Sequence, residues 1–276
     1  MIARKRSFQP YGQQIMRMLR TFAADPVTVG LALPGEFRQR WERHTAGRAE
    51  TPEPDEAWEA RLHELLGAPW PCPEGDRLDA LMTDISDLLV ARGLRTGRHT
   101  YGWYSDAENA LGRAIWCTAL HKHPDVVVET GVAHGVTSRI VLEALGRNDT
   151  GHLWSIDLPH PLDNRLHRET GAAVTDACRE RWSYLEGSSR QRLPALIART
   201  GRVDLFIHDS LHTAKNTLFE TGQVAPVMPA GAVMMVDDIG SHNGFVTFAR
   251  RHPEFRTIVC PSADRLGVFG IAVKAA

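Results

Sequence analysis

The strongest constraint on the fold is the stretch Val126–Ser138, where a short apolar run meets a turn that contains two glycines. The run opens with three valines and ends at the acid Glu129, and Gly131 and Gly135 follow. Residues 139–145 then show the apolar spacing of a helix. Strand, glycine turn and helix in this order predict a turn that binds a nucleotide-type ligand at the carboxyl end of a parallel strand.

The rest of the carboxyl-terminal half alternates strands with helices, which is typical of a parallel α/β sheet. The strands predicted after the first are residues 152–157, 183–186, 203–208, 232–236, 255–260 and 267–273. The predicted helices are 106–121, a segment within 169–181, 192–200 and 214–222. Several strands end at an acid or a small polar residue, and in an open sheet the ligand crevice lies at those ends.

The first hundred residues have a different pattern, since apolar positions recur at helical spacing and no strand is predicted. Predicted helical segments include residues 15–22, 37–41, 58–66 and 78–89, and residues 46–56 are a predicted linker or loop. We expect residues 1–100 to be a helical cap or an oligomerisation region, and residues 101–276 to be the ligand-binding core. A homo-oligomer and simple packing against the core are both compatible with this pattern.

Aromatic residues stand immediately before the core. Tyr101, Trp103 and Tyr104 precede the helix predicted from Asp106, for which Ser105 or Asp106 is the predicted N-cap. These rings could close over a planar ligand, although core packing explains aromatic residues more often.

Composition excludes several classes of protein. The formal net charge of −1 gives no basic surface for nucleic acid. No stretch approaches the ~20 apolar residues of a membrane span, and no apolar segment follows the basic amino terminus, as a secretory signal would require. The four cysteines lack a CxxC spacing, which argues against a zinc knuckle or a disulfide framework. We therefore expect a cytoplasmic protein without a membrane or nucleic-acid partner.

Glu129 discriminates between two ligands for the turn. A dinucleotide site favours G-x-G-x-x-G, whereas Gly131 and Gly135 here are separated by three residues. A carboxylate would repel a diphosphate but would pair with the ammonium group of S-adenosylmethionine. Asp157, which ends the second strand, could hold ribose hydroxyls in either ligand. The carboxylate favours S-adenosylmethionine, with an NAD(P)-dependent oxidoreductase as the alternative.

Three acids follow the fourth and fifth strands and are expected to lie together. Asp209, Asp237 and Asp238 would repel one another unless a cation neutralised them. Oxygen ligands select a hard ion, so Mg²⁺ is the predicted metal, with Mn²⁺ or Ca²⁺ as substitutes. The competing interpretation is that Asp237 or Asp238 caps the following helix.

Five segments together resemble the class I S-adenosylmethionine-dependent methyltransferases, and in particular the small-molecule O-methyltransferases related to catechol O-methyltransferase. They are residues 129–135, Asp157, 185–189, 206–213 and 230–239. The resemblance covers about residues 101–276. It implies a Rossmann-like sheet of seven strands in the order 3-2-1-4-5-7-6, with the last hairpin antiparallel, preceded here by the helical extension.

The resemblance also implies roles for individual residues. Glu129, Gly131 and Ser138 would surround the methionine part of the cofactor, Asp157 would hold the ribose, and Ser188 would lie near the adenine. Ser188 stands where an acid is common in the family, and Leu211 and Ala230 are further departures. The predicted cofactor-binding set is Glu129, Gly131, Gly135, Ser138, Asp157, Ser188 and Asp209.

The resemblance assigns a divalent metal to the three aspartates and a general base to His212, three residues after Asp209. The alternative for His212 is a surface histidine, since the chain has 13 histidines. His208 and His134 are weaker candidates for the base, and His134 is interpreted as a turn residue beside the cofactor. His242 and Asn243 could line the acceptor pocket.

The predicted activity is transfer of a methyl group to a hydroxyl of a small molecule. A vicinal diol, a catechol or a sugar would chelate the metal, and the long amino-terminal region would suit a glycosylated natural product. A metal-independent methyltransferase is the second alternative.

Overall fold

The computed structural model describes residues 52–98, 100–101, 105–106, 109–158 and 164–275. The helices predicted at 15–22 and 37–41, and the aromatic residues Trp103 and Tyr104, lie outside the described residues. Among the described helices, none is both long and apolar enough to cross a bilayer.

Eight α-helices and seven strands make up the described chain. The helices are α1 (Trp58–Leu66), α2 (Gly75–Ala91), α3 (Asn109–Lys122), α4 (Val136–Asn148), α5 (Asn164–Glu169), α6 (Ser189–Thr200), α7 (Ala214–Val224) and α8 (Gly244–Arg251). The strands are β1 (Val126–Thr130), β2 (His152–Asp157), β3 (Trp182–Glu186), β4 (Leu205–His208), β5 (Val233–Val236), β6 (Phe255–Pro261) and β7 (Val268–Lys274). Short 3₁₀ helices occupy Asp176–Arg181, Ala225–Val227 and Ile239–Ser241.

The strands form one sheet in the order β3-β2-β1-β4-β5-β7-β6. The first five strands are parallel, and β7 pairs antiparallel with both β5 and β6. This confirms the predicted seven-stranded fold. The order in which the chain adds strands reverses between β1 and β4, so the carboxyl ends of these parallel strands border the expected ligand crevice.

Both faces of the central strands are covered, which is why their sequences are nearly continuous apolar runs. Successive residues point to opposite faces of a strand. Val127 and Ile207 accordingly belong to one buried cluster, and Val128 and Phe206 to another. All four side chains are fully buried, so the central strands are a rigid platform for the loops at their carboxyl ends.

The described part of the amino-terminal region packs against the core. Trp58 and Leu62 of α1, and Ile85 and Leu89 of α2, belong to the same buried cluster as the helices beside β1. The Trp58 ring meets Phe269 of β7 edge-on at 5.4 Å between centroids. A role of residues 1–100 as a cap or an oligomerisation region stays a prediction.

The helix predicted within 169–181 is wrong. The chain instead ends α5, turns at Gly171 with φ +70°, and forms a 3₁₀ helix before β3. The Gly171 N–H donates to the carbonyl of Ala133 at 2.9 Å, and the Ala173 N–H donates to that of His134 at 2.7 Å. A continuous helix could not make these contacts, because its own carbonyls would take both N–H groups.

Candidate active site

The turn after β1 fits tightly between the ends of its two neighbouring strands. Gly131 has φ +88°, and a Cβ built there would lie 2.0 Å from the backbone oxygen of Asp209. Gly135 has φ +82°, and its Cβ would lie 2.9 Å from the Cα of Gly171. Both positions therefore require glycine for space as well as for backbone conformation.

Glu129 is fully buried at the mouth of this turn. Its Oε2 accepts hydrogen bonds from the hydroxyls of Ser138 and Ser155, each at 2.6 Å. Its Oε1 is buried and has no hydrogen-bond partner. Burial raises the pKa of Glu129 to about 7, against the opposing effect of the two serines. A buried, unpaired carboxylate oxygen of this kind is suited to receive a cationic donor from a ligand.

Asp157 lies at the carboxyl end of β2, as predicted, and is bound to the same turn. Its Oδ2 accepts from the backbone N–H groups of Val132 at 3.1 Å and Ala133 at 3.2 Å. Burial raises the pKa of Asp157, and these backbone donors oppose the rise. Asp157 thus holds the turn in place, at the point where a ligand on the turn would meet β2.

Ser188 directly precedes α6, at the carboxyl end of β3. Its N–H donates to Oε1 of Gln191 at 3.3 Å, as in a capping box. The residue is therefore the N-cap of α6, on the side of the crevice where the adenine is predicted to lie.

Asp209, His212 and Asp237 lie close together beyond β4 and β5. Each offers one ligand atom, and these atoms all lie within 4.8 Å of one another. His212 Nε2 is 3.7 Å from Oδ1 of Asp209. The pKa of Asp209 is raised well above its usual range by burial and then by the Asp237 carboxyl. Two carboxylates and an imidazole are a donor set that fits a divalent cation.

The structure does not bring Asp238 into that group. Asp238 is exposed and has φ +50°, and it immediately precedes the 3₁₀ helix after β5. The predicted set of three aspartates is thus represented by two of them together with His212.

The His212 imidazole is partly exposed to solvent, but one of its two nitrogen atoms is buried. Its side chain is 23% exposed, while its Nδ1 is buried without a hydrogen-bond partner. Burial lowers the pKa of His212, and Asp237 opposes this effect. The imidazole is therefore neutral at neutral pH, which is the form that can accept a proton.

A buried polar network beneath this cluster was missed by the sequence interpretation. His208 Nδ1 and Glu220 Oε2 are 2.6 Å apart, and both side chains are fully buried. Glu220 also accepts from Thr130 Oγ1 at 2.6 Å and from Asn216 Nδ2 at 2.8 Å. Burial alone would raise the pKa of Glu220, but His208, and then the hydroxyls of Ser189 and Thr130, lower it to about 2. His208 is thus a partner of Glu220 and is sequestered from the crevice.

The network extends to the loop after β5. The Thr217 hydroxyl lies 3.1 Å from His208 Nε2 and 3.3 Å from His242 Nε2, and His242 Nδ1 accepts from the Gly244 N–H at 3.1 Å. His242 is buried, and burial, followed by the proximity of His208 and His212, lowers its pKa to about 4. Asn243, its exposed neighbour, begins α8. The sequence signal was present: residues 216, 217, 220 and 221 place polar side chains on one face of α7.

A second network lies on the other side of the glycine turn. His134 Nδ1 is 3.1 Å from Asp106 Oδ2, which also accepts from the Thr100 hydroxyl at 2.9 Å. The Tyr101 ring meets His134 edge-on at 5.2 Å. Asp106 therefore binds the turn. The cap of α3 by Ser105 or Asp106 stays a prediction, because residues 107–108 lie outside the described residues. Its Oδ1 is buried without a hydrogen-bond partner, like Oε1 of Glu129.

Residues 128–239 match the family model described as a methyltransferase domain. The matched segment begins within β1 and contains every residue predicted to bind the cofactor or the metal. These residues are a methyltransferase domain. The alternative of a nicotinamide-dependent oxidoreductase is not supported.

Solved structures share the fold of this chain at low sequence identity. A putative O-methyltransferase from Klebsiella pneumoniae is 14% identical with a TM-score of 0.53, over 80% of this chain and 99% of that one. An O-methyltransferase from Streptomyces achromogenes involved in tomaymycin synthesis, in complex with S-adenosylmethionine, is 14% identical with a TM-score of 0.54, over 71% and 90%. An O-methyltransferase from Bacillus cereus in complex with S-adenosylhomocysteine is 12% identical with a TM-score of 0.52, over 79% and 99%. A comparison with curated proteins found no match.

Proposed function

We propose that this methyltransferase domain transfers a methyl group from S-adenosylmethionine to a hydroxyl oxygen of a small molecule, with the help of a hard divalent cation. The observation that carries the proposal is the buried Glu129, whose Oε1 has no partner beside a glycine turn. Two solved structures of the same fold are described as complexes with this cofactor or its demethylated product, which supports the choice of ligand.

The cofactor would lie across the carboxyl ends of β1, β2 and β3. Glu129 would accept the ammonium group, with its charge shared by Ser138 and Ser155. Asp157, held by the turn amides, would accept the ribose hydroxyls, and the loop at Ser188 would face the adenine. S-adenosylmethionine supplies an electrophilic methyl group on a sulfonium centre, which leaves as part of a neutral thioether.

Asp209 and Asp237 would be the principal metal ligands. The raised pKa of Asp209 reflects burial first and then repulsion from the Asp237 carboxyl, and a cation would relieve that repulsion. Mg²⁺ prefers oxygen ligands, so His212 need not be a ligand. Asp238, which is exposed and outside the group, would have to turn toward the two acids to serve as the third carboxylate. A hard cation there would lower the pKa of a bound acceptor hydroxyl.

His212 would act as the general base. Its lowered pKa keeps the imidazole unprotonated, and Nε2 would take the hydroxyl proton of the acceptor. The imidazolium so formed would be stabilised by the neighbouring carboxylates of Asp209 and Asp237. The remaining contribution of the protein is to hold the acceptor oxygen in line with the methyl group, and such positioning supplies effective molarities of about 10⁵–10⁸ M.

The acceptor is proposed to be a vicinal diol, a catechol or a sugar hydroxyl, because neighbouring oxygens can chelate the metal. A glycosylated natural product belongs to this class. The Streptomyces O-methyltransferase of the same fold is described as involved in tomaymycin synthesis, which supports a small-molecule acceptor but does not specify a sugar or a diol.

The test follows isotopically labelled methyl from S-adenosylmethionine into a panel of catechols and glycosides. We expect an O-methylated product together with S-adenosylhomocysteine, loss of activity with EDTA, and recovery with Mg²⁺. Full activity in EDTA would instead show a metal-independent methyltransferase, and methylation of nitrogen or sulfur would contradict the proposed acceptor.

Replacement of His212, the proposed base, gives the more specific test. His212→Ala should lower kcat by about 10²–10⁴-fold, while the Kd for S-adenosylmethionine stays unchanged. The matched control is His252→Ala, because His252 pairs with Glu254 on the surface. An unchanged kcat in His212→Ala would remove His212 from the mechanism.

A further inference from the structure

A second cluster of potential metal ligands lies where the amino-terminal helices pack on the core. It consists of His63 on α1, Cys72 in the loop between α1 and α2, and Cys117 and His121 on α3. We call it the cysteine–histidine cluster. It contains none of the residues assigned to the methyltransferase site, and an inference from it is independent of the proposed function.

The potential ligand atoms in the cluster are already close together. One ligand atom each of His63, Cys72 and Cys117 lie within 4.8 Å of one another. The two Sγ atoms are 2.9 Å apart, and His121 Nε2 is 3.8 Å from Cys72 Sγ. The rings of His63 and His121 meet edge-on at 5.5 Å between centroids. The ligand atoms of His63, Cys72 and Cys117 thus face one another, and His121 lies beside Cys72, so a fourth bond requires its ring to move toward the other three.

This arrangement suits a tetrahedral zinc ion. Two thiolates and two imidazoles form a common structural zinc set, with Zn–S bonds of about 2.3 Å and Zn–N bonds of about 2.0 Å. Ligand atoms in such a tetrahedron lie about 3.3–3.8 Å apart. The Cys72 to His121 separation already fits, and the sulfur atoms need to open by only about 1 Å.

The local sequence places the ligands correctly for such a site. Cys117 and His121 are four residues apart on α3, so their side chains project from the same face of the helix. His63 and Cys72 come from the end of α1 and from the loop that follows it. Two ligands from one helix and two from the opposite segment can therefore surround an ion.

A disulfide between the two cysteines explains fewer of these observations. The Sγ atoms are farther apart than the ~2.05 Å of a disulfide bond, and a disulfide does not use the imidazoles. His63 is 1% exposed, and its Nδ1 is buried without a hydrogen-bond partner, which is costly unless a ligand satisfies it. Cys72 and His121 are half-buried, so an ion has a route to the cluster.

We propose that His63, Cys72, Cys117 and His121 bind one Zn²⁺ as a structural site. Binding releases the two thiol protons to solvent, so that two thiolates and two neutral imidazoles neutralise the ion. Four protein ligands complete the tetrahedron and leave no position for a reacting water, which distinguishes a structural site from a catalytic one. The ion links the loop between α1 and α2 to α3, which packs against the sheet.

The test measures bound zinc by mass spectrometry of the full chain, purified with a reductant and freed of loosely held metal. We expect one equivalent in the wild type and in Asp209→Asn/Asp237→Asn, which removes the hard-metal ligands. Zinc should fall to background in Cys72→Ser/Cys117→Ser. The matched control is Cys178→Ser, because Cys178 is also half-buried but lies outside the cluster.

A second measurement on the wild type covers the case in which the double cysteine variant does not fold. Co²⁺ exchanged into the protein should give the intense visible and sulfur-to-metal charge-transfer bands of tetrahedral thiolate ligation. Thiol titration in denaturant with EDTA and no reductant should find all four cysteines free. The proposal would be overturned by any of four results. The wild type could lack zinc, or the variant without both cysteines could retain it. The cobalt spectrum could lack thiolate bands, or two thiols could be lost to a disulfide.

Discussion

At the scale of single residues, the proposed choice of ligand rests on Glu129. One of its oxygens is held by two serine hydroxyls, and the other is buried without a partner. A phosphate would place like charges together in a site with little water, whereas an ammonium group would satisfy the unpaired oxygen. The place of Glu129 in the fold could be predicted from the sequence, because the residue follows an apolar run and comes immediately before the glycine turn.

The raised pKa of Glu129 predicts proton release when the cofactor binds. The folded pKa of about 7 lies above the ordinary value of 4.5, so part of Glu129 is protonated in the free protein at neutral pH. An ammonium group favours the ionised form, and affinity for S-adenosylmethionine should therefore rise with pH up to about 7 and then level off. Calorimetric titration in buffers of different ionisation enthalpy measures the released protons.

The variant Glu129→Gln should release fewer protons and bind more weakly by about 10–100-fold, which corresponds to a lost charged hydrogen bond of about 1.5–3 kcal/mol. Glu254→Gln is the control, because Glu254 is exposed and pairs only locally. Wild-type affinity in Glu129→Gln would show that the ammonium group lies elsewhere.

At the scale of elements, the turn between β1 and α4 has its shape because neighbouring strands leave it little room. Gly131 faces the backbone of Asp209 across the β1–β4 boundary, and Gly135 faces Gly171. The need for glycine could be predicted, but the contact with Gly171 could not, since it depends on a segment that the sequence assigned to a helix.

Two glycine-to-alanine substitutions compare a glycine that the tight turn requires with a glycine that has open space around it. Gly131→Ala should destabilise the fold by about 2–5 kcal/mol, because positive φ and contact with rigid backbone act together. Gly146→Ala, in α4, meets no atom within 4 Å and should stabilise by about 0.5–1 kcal/mol. Urea unfolding measures both changes. Equal effects of the two substitutions would contradict the packing described for the turn.

The pairing of α7 with β4 depends on buried Glu220 and His208. Glu220→Gln removes one charge of a fully buried pair, and a loss of about 3–5 kcal/mol in the free energy of unfolding is expected. Because the folded pKa of about 2 lies below the ordinary 4.5, the contribution of Glu220 is complete above the unfolded value and is lost as pH falls toward the folded one.

Urea unfolding at neutral and acidic pH measures this contribution. The difference between wild type and Glu220→Gln should shrink as pH falls below about 4.5. Glu143→Gln is the control, since Glu143 pairs with Arg139 at the surface of α4. A constant difference across this range would show that the charge on Glu220 does not stabilise the fold.

At the scale of the whole molecule, the sheet could be predicted and the polar interior could not. Apolar runs that end at acids indicated the strands and placed Glu129, Asp157, Asp209 and Asp237 at one edge. The polar face of α7 indicated that Glu220 is part of a polar interior, but its partners His208 and Thr130, like His134 for Asp106, come from other elements that no local pattern identifies. The cysteine–histidine cluster was hidden in the same way, because Cys72 and Cys117 are far apart in sequence and lack a CxxC spacing.

The acidic cluster at Asp209 and Asp237 shows the same limit on a smaller scale. Positions at adjacent strand ends indicated that Asp209 and Asp237 would meet, and the structure places them together with His212. Asp238 itself has a left-handed backbone, immediately before the 3₁₀ helix, and its side chain is exposed. The spacing of acids in the sequence does not specify this conformation.

The most direct test of methyl transfer at this site is a crystal structure of the protein with S-adenosylhomocysteine, which binds like the donor but cannot react. We predict that its amino nitrogen lies within about 2.7–3.2 Å of Glu129 Oε1, with the ribose at Asp157. An amino group directed away from Glu129, or a dinucleotide whose diphosphate rests on Gly131, would contradict the assignment.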